Sequence, residues 1–164
     1  MVPTDKQTVA VLNDLIATCK DGMNGFTSAA NAVDTPATKM LFNSRVASIE
    51  QSMSDLQDAV LKLGGEPAET GHVAASLHRA WTNMKAALDG NDEHEIVAET
   101  LRAEETAVAQ YADALRTPLP DAIRALVENQ LHGAQQNVEV VRALLTGPAS
   151  PPSAREASSF DVRP

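Results

Sequence analysis

The sequence predicts an all-α fold, and three observations carry that prediction. Of the 164 residues, 43% are hydrophobic but only 3% are aromatic, and 27 are alanine, the strongest helix former. Cores of β-sandwiches and barrels draw on aromatic and β-branched residues, so the composition argues against an all-β domain. Apolar residues also recur at intervals of three and four, as one face of a helix requires. The length fits a single domain.

The first helix begins near Asp5, where Thr4 and Gln7 fit a capping box. Its stripe runs Leu12, Leu15, Ile16, Cys19, Met23, Phe26 and Ala30, and it stops near Val33. Gly22 and Gly25 weaken it by roughly 1 kcal/mol each against alanine and mark a kink or a close helix contact. Asp34-Thr35-Pro36 then places a capping side chain before a proline at the first helical position. The second stripe is Phe42, Val46, Ile49, Met53, Leu56, Val60 and Leu63, stopped by Gly64-Gly65.

A linker through Glu66-Pro67 leads to a shorter helix over about 72–89, carrying Val73, Leu77, Trp81, Met84 and Leu88. Gly90 closes it and Asn91 is read as the cap of the next helix, with Asp92, Glu93 and Glu95 against the positive end of its dipole. That stripe is Val97, Leu101, Glu104, Val108, Tyr111 and Leu115. Thr117-Pro118-Leu119-Pro120 turns the chain into a last helix reaching about Thr146, with Ile123, Val127, Gln130, Ala134, Asn137, Val141 and Leu145. Residues 1–147 thus form the bundle; residues 148–164, rich in proline and serine, read as a disordered tail.

Four of these helices span roughly 36–44 Å at 1.5 Å per residue. Short connections make the first two antiparallel neighbours, and likewise the last two. The short helix, roughly 27 Å long, can carry the chain back along the bundle. Two hairpins joined by a crossover between long helices two and three have the connectivity of a ferritin-like four-helix bundle. The alternative is a five-helix array with the short helix across one end.

A net charge of −9 argues against binding nucleic acid, which needs a basic face, and against an anionic membrane surface. No apolar run approaches the roughly 18 residues of a membrane-spanning helix, and the start Met1-Val2-Pro3-Thr4-Asp5 lacks the pattern of a signal peptide. A single cysteine, Cys19, cannot form an intramolecular disulfide, which fits a cytoplasmic setting.

Ferritin-like carboxylate sites set glutamates and Glu-x-x-His pairs on inward faces of four helices. At 100° per residue Glu104 lies close to the centre of its apolar stripe, Glu50 flanks the second stripe about 80° from Phe42, and Gln130 and Cys19 point inward. Counted from the loops, all four fall in one middle layer. Two readings follow. Glu50 and Glu104 could supply oxygen ligands to iron, manganese or zinc with Gln130 nearby, making the chain a ferritin-like metal-dependent oxidoreductase if it is an enzyme at all. Alternatively the layer is structural, with Glu104 hydrogen-bonded to Gln130 or paired with Arg45. Two carboxylates without an inward histidine are short of a di-iron set, so the expectation is a non-catalytic bundle acting by association, as a homodimer, with no cofactor.

Other candidates are weaker. Glu69 and His72 form the only Glu-x-x-His but straddle a loop and a helix start. His94 reads as solvated, and His78 as a surface or packing residue. Cys19 reads as a small buried hydrophobe, and Trp81 as an anchor for the short helix. No Gly-rich phosphate loop is present.

Leu12-Asn13-Asp14-Leu15-Ile16, Cys19-Lys20-Asp21-Gly22 and Gly25-Phe26 resemble the opening of a family of small, mostly proteobacterial ferritin-like proteins classed as a domain of unknown function. Leu63-Gly64-Gly65-Glu66-Pro67, Leu77-His78-Arg79-Ala80-Trp81 and Glu104-Glu105 resemble its later segments, so the likeness covers about residues 8–145. It implies a ferritin-like fold, no established reaction and a link to stress responses. Family members often carry glutamate where this chain has Met23, which removes the inward carboxylate of the first helix.

Overall fold

The computed structural model describes residues 4–69 and 75–147, without the side chains of residues 75–78 and 81. The described chain is all-helical: α1 (Asp5–Ala32), α2 (Pro36–Lys62), α3 (Ala75–Gly90), α4 (Glu93–Ala114) and α5 (Asp121–Thr146). No strand occurs among the described residues, and none of the helices is long and apolar enough to cross a membrane. The tail, His72 and Val73 lie outside the described residues, and so do the side chains of Leu77, His78 and Trp81.

Several helix ends follow the sequence. The Thr4 hydroxyl accepts from the Gln7 amide at 3.3 Å, and Pro36 occupies the first turn of α2. Thr35 makes no side-chain cap there; the Glu93 carboxylate, arriving from the start of α4, instead accepts from the amides of Asp34 and Thr35 at 3.2 and 3.3 Å. The cap of α4 shifts by one residue from the reading above. Asp92 accepts from the amides of His94 and Glu95, while Asn91 adopts the left-handed conformation at φ 53° that asparagine tolerates better than most residues.

Side-by-side packing orders the helices. The four long ones pack as a bundle in which α1 touches α2 and α4, and α5 touches α4 and α2, while α3 lies against both α1 and α4. The Glu93 contacts set the start of α4 beside the α1–α2 turn. At the other end Gly65 packs against Val9; a Cβ on Gly65 would stand 2.7 Å from that side chain, so this close approach requires glycine. α2 and α4 therefore run in the same direction, and α3 with its connector returns the chain between them. The connector is tied down along α1. The Asn13 side chain donates to the Glu66 carbonyl and accepts from the Ala68 amide, and Lys20 donates to the carbonyls of Ala68 and Glu69.

The core follows the predicted stripes at Leu12, Ile16, Phe26, Phe42, Leu56, Val60 and Val127, all essentially inaccessible; on α4 it also takes Ile96, outside the predicted stripe, while Leu101 and Val108 are only half-buried. Phe26 and Phe42 meet edge to face with centroids 5.6 Å apart, joining α1 to α2 near their shared turn. Gly22 is buried, with the Ile49 methyl only 3.2 Å from where its Cβ would be, so α1 and α2 approach closely there.

Candidate functional site

Halfway along the bundle the apolar stripes are interrupted by polar side chains from all four long helices. Thr18 and Cys19 on α1, Arg45 and the Ser52 backbone on α2, Glu104 and Tyr111 on α4, and Gln130 on α5 line one cavity of about 20 Å³. That is room for about one water molecule.

Two linked sets of contacts fill this layer. In the first, Arg45 Nη2 donates to Glu104 Oε1, joining α2 to α4 across the middle of the bundle. The Glu104 side chain is only 2% exposed and that of Arg45 13%. Burial pushes the Glu104 carboxyl above its usual range, because an ionised carboxylate loses hydration there. The Arg45 guanidinium, and more weakly the Asn137 amide, oppose that rise. Arg45 Nε and Asn137 Nδ2 are buried without a hydrogen-bond partner of normal geometry.

The second set is a chain of hydrogen bonds whose direction is fixed from one end. The Ser52 carbonyl can only accept, so Gln130 must present Nε2 to it, at 3.0 Å. Gln130 Oε1 then faces Tyr111, whose hydroxyl donates to it at 3.0 Å. Having spent its proton, the Tyr111 oxygen accepts from the Cys19 thiol at 3.4 Å. One backbone carbonyl therefore sets the polarity of three side chains on three other helices. Burial pushes the Cys19 thiol up to about 11, outweighing the hydrogen bond to Tyr111, and it raises the Tyr111 phenol well above its ordinary value. Cys19 is accordingly a protonated thiol at neutral pH, not a nucleophile. Native protein is expected to resist iodoacetamide at pH 8 and to react once denatured; labelling of the native chain at the rate of a free cysteine would contradict the closed layer.

Of the site residues expected from sequence, Glu104 and Gln130 come together in this layer, whereas Glu50 lies on an exposed face of α2. Among the described residues no group of three or more His, Cys, Asp or Glu side chains is placed to hold a metal ion. His94 and His132 are exposed, and Arg124 pairs with Glu128 on the outside of α5 at 3.9 Å. Glu105 faces out and meets Arg142 of α5 at 3.0 Å. Sequence reasoning placed Tyr111 on a buried stripe without a role. The signal for its hydroxyl was available: a single tyrosine inside an apolar stripe must find a polar partner.

The Arg45–Glu104 pair lies within the segment that defines the relationship of this chain to others. A family model described as a domain of unknown function, DUF2383, matches residues 7–117. The chain belongs to the DUF2383 family. The matched segment spans α1 to α4, so the DUF2383 region contains Cys19, Arg45, Glu104 and Tyr111, while Gln130 on α5 lies beyond it. No curated protein matches the chain.

Proposed function

We propose that this DUF2383 protein is a ferritin-like bundle that acts by association with other molecules, not by catalysis in its interior. The observation that carries this reading is the guanidinium of Arg45 on the carboxylate of Glu104, at the level where ferritin-like bundles place their metals. The crossover geometry, with α2 and α4 running in the same direction, supports the ferritin-like assignment. The resemblance to family members adds a stress response as the setting, and the single cysteine, Cys19, adds the cytoplasm as the place.

In this reading the interior layer fixes the register of four helices. A buried ion pair is seldom a net source of stability, and its best-attested use is to specify one arrangement over others. A divalent cation at the same level, the metal-binding alternative, would have to displace Arg45 from Glu104, recruit Glu50 from the exposed face, and take the Gln130 oxygen from Tyr111. Metal analysis of protein purified without a His tag decides between them. Iron, manganese and zinc well below one equivalent are expected; a stoichiometric metal that Glu104→Gln abolishes would establish the alternative. Light scattering tests association itself, with a mass above 17.4 kDa expected at micromolar concentration.

A further inference from the structure

The four inter-helix seams of the bundle are not equivalent. The seam between α1 and α4 is covered by α3, whereas α2 and α5 approach each other least closely and no described element lies over them. Between α2 and α5 runs a trough in two stretches. The one near the Leu41 end has a volume of about 440 Å³, the one near the Leu63 end about 500 Å³, and Asp55 borders both.

We propose that this trough is the face on which a second copy of the chain docks, about a two-fold axis. The proposal rests on the association reading and gives it a surface. The first support is Gly133, in the middle of α5. Gly22 and Gly65 have packing reasons inside the chain, but a Cβ on Gly133 would meet nothing within 4 Å, and its φ is not in the left-handed region. A mid-helix glycine costs roughly 1 kcal/mol against alanine, and nothing among the described residues uses the space it leaves. Close approach of a helix from outside does.

The second support is chemical. Along α5 the lining follows a three–four spacing through Leu126, Asn129, Gly133, Gln136 and Val140, and along α2 through Leu41, Ser44, Ser48, Gln51 and Asp55. Such spacing on two adjacent helices seats partner helices. Leu41 and Val140, 36% and 41% exposed, supply apolar contact at one end, and Leu126 and Ile123 at the other. Carboxamides and hydroxyls both donate and accept, so identical surfaces can satisfy each other across a two-fold. In the stretch near Leu41 the only charged residues are Arg45 and Asp55, of opposite sign, on a chain of net charge −9. Two copies can therefore meet here with little like-charge repulsion.

The third support is size. From Leu41 to Leu63 the trough is about 33 Å long and two helices, about 20 Å, wide. That gives about 650 Å² from each copy, or about 1,300 Å² in all, within the range of about 1,200–2,000 Å² for stable specific interfaces.

The test is light scattering of the full chain at tens of micromolar with three variants. Wild type is expected at twice 17.4 kDa. Gly133→Gln projects into open space in the single chain and removes a poor helix former, so the fold is retained; the dissociation constant should weaken about 30-fold or more, as for a central interface residue. Val140→Glu should do the same, and Lys85→Glu, on α3 away from the trough, should change nothing. Helical circular dichroism confirms folding, and Gly133→Ala stands in for any variant that loses it. A wild-type dimer that survives both trough variants overturns this surface but leaves association standing. A wild-type monomer overturns the docked second copy and self-association together, and returns the trough to other occupants, residues 148–164 or a different protein.

Discussion

Replacing Arg45 by leucine is expected to destabilise the chain by about 3–5 kcal/mol at neutral pH, because it leaves the Glu104 carboxylate buried with no cation beside it. For a domain of this size that lowers the unfolding midpoint by about 10 °C. Glu104→Leu should cost less. Arg45 is 13% exposed and borders the trough between α2 and α5, so a guanidinium released by Glu104 can turn toward water. The double variant, apolar at both positions, should sit near wild type. The sum of the single costs would then exceed the double by several kcal/mol, as happens when each single change strands a charge.

The same pair fixes a pH dependence. Burial raises the Glu104 carboxyl, so the folded state holds that proton more tightly than the unfolded state does. The contribution of this group is therefore whole below the unfolded value of about 4.3 and is lost as pH rises through the raised folded value. Removing Arg45 removes the largest opposing influence and extends that window upward. The cost of Arg45→Leu should accordingly be smallest near pH 4 and grow toward pH 7, as urea unfolding at several pH values would show. An equal cost at both ends would mean that Arg45 acts through packing of its stem rather than through its charge.

The fold was legible because each helix carries its own period and punctuation, and because a short helix over about 72–89 between two hairpins has few places to go. Glu104 was legible for the same reason: at the centre of an apolar stripe a residue must be buried whatever its neighbours are. Glu50 was not. A side chain about 80° from the stripe lies at its edge, and whether it turns in or out depends on how closely the next helix approaches, which a single stripe does not encode. The capping of the α1–α2 turn by Glu93 was equally invisible, since it joins positions 58 and 59 residues apart. Asn91 and Asp92 are both good caps by type. The structure gives the cap to Asp92 and the left-handed position to Asn91, a division that depends on backbone geometry at the end of α3.

Tyr111→Phe should show that the second half of the layer is held as a unit. The change removes one oxygen and little volume, yet it strands two partners: Gln130 Oε1 loses its donor and the Cys19 thiol its acceptor. A buried acceptor left without a partner costs about 1–3 kcal/mol, and the weaker thiol adds less. Gln130→Leu strands the Tyr111 hydroxyl instead and should cost a similar amount. Combining the two replaces both ends of one hydrogen bond by apolar groups, which leaves the Ser52 carbonyl to its helix and is close to neutral for the pair. The double variant should therefore be more stable than the sum of the single losses predicts, measured by denaturant unfolding. Strict additivity would mean that Tyr111 and Gln130 are satisfied separately. The alternative, coupling between α4 and α5 through a bond whose direction is set by a carbonyl on α2, identifies the layer as what holds those helices in register.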